Sequence, residues 1–177
     1  YAKTIAEGEN LSPEQQKLVE VTAVVHDIAC PLCRVKYGNA NGKHQEEESA
    51  ALIEEFFVDS DLPKEFVDRV SYIVSHHHTI TGIDGIDYQI MIEADYLVNA
   101  DESNFSGNNV RNMLEKVFKT ETGKFLLQSM YQKRLNAEKN SEEMRRFYLW
   151  ENSGLIICLY YNYMRMRGYN KYKKSHT

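Results

Sequence analysis

The sequence predicts an all-α domain, and three observations support this fold class. Glycine and proline are scarce, with nine and three residues in a chain of 177, so few positions interrupt long helices. Apolar residues recur at helical spacing, as in the series Leu18, Val21, Val25 and Ile28. No segment shows the alternation of polar and apolar residues that a half-buried strand requires. We therefore expect a non-repeating helical bundle.

The clearest helix start lies near the beginning of the chain. Residues 1–9 are predicted to be the last turns of a first helix. Ser12 is then the expected N-cap of the next one, with Pro13 in its first turn and Gln15 completing a capping box. This helix is expected to stop near Pro31 and to be followed by a loop.

The other helices are predicted from apolar faces bounded by glycine, proline or capping residues. They are expected over residues 43–57, from residue 61 to the histidines at 76–78, and over residues 87–101, 108–119, 123–139 and 142–167. A break of the last helix at Gly154 is an open alternative.

Composition and charge narrow the class of protein. Apolar residues make up 42% and charged residues 27%, which is the balance of an ordinary globular domain. The net charge of −5 argues against bulk nucleic acid as a partner. The longest apolar run, residues 154–161, is shorter than the roughly 18 residues of a membrane span. Three cysteines do not form a disulfide framework, so we expect a reducing, cytoplasmic location.

Residues of the kind that bind metals occur at helix ends or on apolar helix edges in four places. These residues are His26 with Asp27, His44, His76 with His77, and Asp95. An ionised aspartate beside a buried apolar face is costly unless a cation or hydrogen bonds compensate it. Each feature alone is more common as a hydrogen-bonded or solvated group, and His78 is expected to be solvated. Their joint occurrence favours a metal site.

The local sequences around these residues resemble the HD-domain superfamily of metal-dependent phosphohydrolases. The resemblance lies in residues 23–28 (AVVHDI), 73–77 (IVSHH) and 93–97 (EADYL), and it covers residues 1–105. It implies a helical domain that holds one or two divalent metal ions. Residues 106–177 are then expected to be accessory helices packed on the same domain.

The resemblance also implies a role for each candidate ligand. His26, Asp27 and Asp95 match the core pattern, and His44, His76 and His77 match the positions of additional histidines. The superfamily has a further histidine one helix before the His-Asp doublet, whereas no histidine precedes His26 here. We expect that this histidine lies about two turns upstream of Ala2 and was removed with the N-terminus.

The implied activity is hydrolysis of a small phosphorylated substrate, most plausibly a nucleotide. A divalent metal ion lowers the pKa of bound water to about 7 and shields phosphoryl oxygens, with His26 and Asp27 as the catalytic residues. Fe, Mn, Zn, Co or Mg cannot be distinguished from these ligands. Lys43 and Arg34 are candidates for contacting substrate phosphate, although ordinary surface charge is the alternative.

Several other interpretations stay open. The domain could sense a nucleotide without turnover, or the histidines could be incidental in a structural helical protein. Cys30 and Cys33 are expected to pack in a loop, because a structural zinc site needs four ligands and no second cysteine pair exists. The apolar C-terminal helix could form a homodimer or lie on a membrane surface.

Overall fold

The computed structural model describes residues 1–103 and 105–151, and this part of the chain forms α-helices and no strand. The prediction of an all-α fold is confirmed. The helices are α1 (Ala2–Gly8), α2 (Pro13–Val25), α3 (Cys30–Tyr37), α4 (Gly42–Phe57), α5 (Lys64–Val74), α6 (Ile86–Glu102), α7 (Gly107–Lys116) and α8 (Glu121–Glu151).

The start of α2 confirms the capping box. Ser12 Oγ accepts a hydrogen bond from the backbone N–H of Gln15 at 3.3 Å, and Gln15 Oε1 accepts one from the N–H of Ser12 at 3.1 Å. Two backbone donors that the helix leaves unpaired are satisfied in this way. The helix ends at Val25 with His26 as its C-cap. His26 and Asp27 therefore lie at a helix end.

The prediction that α2 continues to Pro31 and is followed directly by a loop is wrong, because α2 ends at Val25 and Cys30–Tyr37, with both cysteines, form helix α3. A loop does separate α3 from α4, over residues 38–41. Pro31 lies in the first turn, where a missing N–H costs nothing since the helix has no partner for it there. The helix ends at Gly38, whose φ of 72° is in the left-handed region that glycine adopts without strain. Pro31 and Gly38 therefore mark the start and the end of this short helix.

The predicted interruption between residues 139 and 142 is also wrong, because α8 is continuous over Glu121–Glu151. Asn140 and Ser141 are poor helix formers, but each costs less than about 1 kcal/mol. Neither proline nor glycine occurs at these positions. The predicted break at Gly154 and the end of that helix lie outside the described residues.

Helix α6 occupies the interior of the bundle. It packs against α1 and α2, while α5 packs against α2 and α4. Every residue from Tyr88 to Ala94 is less than 9% exposed. The carboxylates of Glu93 and Asp95 are therefore carried by a helix with little access to water, and each needs polar partners.

The chain divides into two compact units, Tyr1–Gln132 and Lys133–Thr177. The first contains α1 to α7 and the beginning of α8. The described part of the second is the remainder of α8. Within residues 1–103 and 105–151, no helix combines the length and apolar character needed to traverse a lipid bilayer. The predicted division at residue 105 stays a prediction.

Candidate metal centre

Three segments bring histidine and aspartate side chains together. His26 and Asp27 follow the last residue of α2, and the turn after α5 carries the histidine triplet. Asp95 lies in the middle of α6. Since α2 packs against both α5 and α6, ligands from distant parts of the sequence meet at one end of α2.

The imidazole of His26 lies between two carboxylates. Its Nε2 atom is 3.5 Å from Asp27 Oδ2 and 3.5 Å from Asp95 Oδ1. Its Nδ1 atom is 2.8 Å from the carbonyl oxygen of Ala23, and a carbonyl only accepts, so Nδ1 carries a hydrogen. Burial lowers the pKa of His26, but the hydrogen bond with Asp95 and the charge of Asp27 outweigh it and raise the pKa. The two carboxylates therefore favour the charged form of this imidazole.

Asp95 is oriented by a residue that the sequence analysis missed. Asn99 Nδ2 donates to Asp95 Oδ1 at 2.9 Å from one turn further along α6. Burial raises the pKa of Asp95, but the hydrogen bond and charge of His26 outweigh this effect and lower it. The i, i+4 spacing of aspartate and asparagine is the signal that could have identified this pair.

His77 presents a buried nitrogen without a hydrogen-bond partner. Its Nδ1–H donates to the carbonyl oxygen of Val74 at 2.7 Å, and its Nε2 atom has no partner among the described residues. Burial and the neighbouring His78 lower the pKa of His77 to about 4, so the ring is neutral at pH 7. The lone pair of Nε2 therefore lies 3.9 Å from Asp27 Oδ1 without a proton between them. Two electron-rich atoms in this position fit a shared cation.

His78 adds a third potential ligand to this pair. Asp27, His77 and His78 each offer a donor atom, and the three atoms lie within 4.8 Å of one another. The side chain of His78 is exposed, as expected, yet its ring centroid is 3.9 Å from that of His77. A Cβ atom at Gly42 would lie 2.6 Å from His78 Cγ. Glycine therefore lets the start of α4 approach this ring.

His76 and His44 have different surroundings. His76 is exposed, its Nδ1–H donates to the carbonyl oxygen of Tyr72, and its ring packs on the Tyr72 ring. His44 stacks on Tyr37 with 3.9 Å between ring centroids, and its Nδ1 atom is 3.5 Å from Glu47 Oε2. Neither belongs to the group of donor atoms formed by Asp27, His77 and His78. Their assignment as metal ligands stays a prediction.

The two candidate phosphate-binding cations lie on the surface. The side chain of Lys43 is 82% exposed, and its Nζ atom is 3.9 Å from Glu47 Oε1. Arg34 is exposed in the last turn of α3. Exposed basic groups of this kind can approach an anion from solvent. Their contact with substrate stays a prediction.

The fold and the site define an all-helical protein with a histidine–aspartate cluster built from several helices. The HD-domain family model matches residues 1–121, and the chain belongs to this family, whose members are in general metal-dependent phosphohydrolases. Searches of curated proteins and of solved structures found no significant match.

Proposed function

We propose that this protein is a metal-dependent phosphohydrolase that cleaves a phosphate mono- or diester, with nucleotides as the expected substrate class. The position of Asp27 carries the proposal. Its Oδ2 atom faces His26 Nε2 at 3.5 Å, and its Oδ1 atom faces His77 Nε2 at 3.9 Å. One carboxylate thus faces two imidazoles that come from different segments, which suits a ligand shared by two metal ions.

We assign the ligands to two overlapping groups. His26, Asp27 and Asp95 would hold one divalent ion, and Asp27, His77 and His78 would hold the other. The unpartnered Nε2 atom of His77 supports this assignment, because a buried polar atom without a partner is rare in native proteins. Imidazole and carboxylate together suit Fe, Mn, Zn or Co. His44 and His76 remain additional candidate metal ligands, as predicted from the sequence.

The residues of the site determine how substrate reaches it and how the imidazoles of His26 and His77 are oriented. Divalent ions held by these residues would neutralise charge on the phosphoryl group and lower the pKa of bound water. The side chain of Asp27 is 54% exposed and that of His77 is fully buried, so substrate reaches the site from the Asp27 side. Val74 and Ala23 hold the Nδ1 atoms of His77 and His26. These bonds direct both Nε2 atoms toward Asp27.

The proposal is tested by a hydrolysis screen on the purified chain. Mononucleotides, cyclic nucleotides and sugar phosphates are each incubated with Mn, Co, Zn, Fe(II) or Mg, and released phosphate or nucleoside is measured. We expect metal-dependent turnover of at least one ester, loss of at least about 100-fold of that turnover in Asp27→Asn, and full turnover in the exposed control Asp59→Asn.

Two results would contradict the proposal. Turnover that survives in Asp27→Asn would place the chemistry elsewhere. Nucleotide binding without product release under every metal would instead support the alternative of a sensing module.

A further inference from the structure

His77 and His78, the histidines of the second proposed ligand group, lie in a short turn that hydrogen bonds from neighbouring helices hold in place. Helix α5 ends at Val74, and the N–H of Thr79 donates to the carbonyl oxygen of His76 at 2.7 Å. His77 and His78 are the two central residues of this turn. Residues 76–79 contain three histidines and a threonine, and His77 is the buried one among them.

Tyr88 contacts both ends of this turn. It lies in the first turns of α6 and is 1% exposed. Its hydroxyl contacts the carbonyl oxygen of His76 and, at 2.7 Å, that of Thr79. A phenol has one proton, so the two carbonyls share it. The two residues between these carbonyls are the histidines of the proposed site.

Helix α4 also forms hydrogen bonds with the turn. Glu46 Oε1 accepts hydrogen bonds from the N–H of His78 at 3.2 Å and from Thr79 Oγ1 at 2.9 Å. The backbone of Tyr88 is itself fixed, since its N–H donates to Asp87 Oδ1 at 2.8 Å. Tyr88 of α6 and Glu46 of α4 therefore both form hydrogen bonds with this turn.

We propose that Tyr88 is a positioning residue of the metal centre, which holds the His77–His78 turn in the orientation needed to bind a second divalent ion. The inference rests on the proposed function, because it assigns a role to Tyr88 within that site. Tyr88 acts through the backbone, since its hydroxyl bonds carbonyl oxygens. Partners that orient metal ligands typically change metal affinity by about 10–100-fold when they are removed.

The test is a Co(II) titration of the metal-free chain, followed by calorimetry and by the visible absorption of bound cobalt. Tyr88→Phe keeps the ring and removes only the hydroxyl. Tyr96→Phe is the matched control, because it removes a hydroxyl from another buried tyrosine of α6, one that bonds Asn109. We expect Tyr88→Phe to bind the second Co(II) at least about 10-fold more weakly, with an altered spectrum, while the first Co(II) changes by less than threefold. Tyr96→Phe should match the wild type.

A second variant, Glu46→Ala, removes the acceptor of the hydrogen bonds from His78 and Thr79 and should lower the affinity for the second ion in the same direction. It also serves the test if Tyr88→Phe does not fold. A wild-type chain that binds two ions while both variants bind them equally well would overturn the inference and leave the proposed metal centre intact. A wild-type chain that binds no divalent ion would overturn the proposed function, and this inference with it.

Discussion

The Nε2 atom of His26 lies 3.5 Å from Oδ1 of Asp95, and this contact joins the end of α2 to the middle of α6. The side chains of His26 and Asp95 are 23% and 19% exposed. A carboxylate with so little access to water is stabilised by a positive charge. Asp95 and Asp27 both raise the pKa of His26 and so favour its charged form, and a metal ion held by these residues would supply positive charge at the same place.

Replacing Asp95 with alanine should remove the metal ion held with His26. The helical domain should still fold, because the lost side chain makes polar contacts with His26 and Asn99 and fills no apolar core. Elemental analysis after metal loading measures the bound ions, and circular dichroism measures helix content. Asp59→Ala, at an exposed position, is the control. Unchanged metal content in Asp95→Ala would contradict the assignment.

Replacing Glu93 with glutamine should destabilise the fold. Glu93 is fully buried, and its carboxylate accepts hydrogen bonds from Gln89 Nε2, from the backbone N–H groups of Lys119 and Thr120, and from the Thr120 hydroxyl. An amide replaces one acceptor oxygen with an NH₂ group, which leaves at least one buried donor unpaired. We expect the free energy of unfolding to fall by about 1–3 kcal/mol.

Urea denaturation followed by circular dichroism measures this loss. Glu55→Gln makes the same chemical change at an exposed position of α4 and should alter the free energy of unfolding by less than about 0.5 kcal/mol. Equal midpoints for the two variants would show that the Glu93 carboxylate does not hold α6 to the start of α8.

The ion pair between Arg69 and Asp87 should make stability depend on pH. Arg69 Nε and Nη2 donate to the two Asp87 oxygens at 2.7 and 2.6 Å. Burial raises the pKa of Asp87, but the hydrogen bonds from Arg69 outweigh it, so the folded-state pKa lies below the ordinary value. The pair therefore contributes stability above the unfolded-state pKa of about 3.9, and this contribution is lost as the pH falls through the lower folded-state pKa.

We expect Asp87→Asn to unfold at lower urea concentration than the wild type at pH 7, with a difference that shrinks below about pH 4. Urea midpoints from pH 7 to pH 3 measure this difference. Asp68→Asn removes the partner of Lys64 in an exposed pair and should have little effect at any pH, because water screens such pairs. A difference for Asp87→Asn that is constant with pH would contradict the ion-pair explanation.

The cysteine pair in α3 should react slowly in the folded, metal-free chain. Burial raises the pKa of the Cys30 thiol to about 11, and the Asp27 carboxylate adds to the rise. Cys33 is fully buried, and burial raises its pKa as well. Only the thiolate is alkylated. At pH 8 we expect iodoacetamide to modify both residues at least about 30-fold more slowly than in urea, as measured by peptide mass spectrometry. Equal rates in the two conditions would indicate a reactive redox pair instead.

Local chemistry allowed much of the fold to be predicted. The capping box of Ser12 and Gln15 depends on residues three positions apart, so the start of α2 was predictable. Helix α3 was not predicted, because Pro31 can either stop a helix or begin one. In the structure α3 packs on α4, a contact that local sequence does not specify. The continuity of α8 across Asn140 was also missed. Weak helix propensities alone do not decide where a helix ends.

The sequence alone determined the helical class and identified His26, Asp27 and Asp95 as candidate ligands, because helical periodicity and the local sequences around these residues are properties of short segments. The tertiary structure decided which donor atoms meet. It placed His77 and His78 beside Asp27, turned His76 toward Tyr72, and supplied Asn99 and Tyr88 as partners. Residues far apart in the chain come within a few ångströms only when helices pack, so no local pattern could specify these contacts.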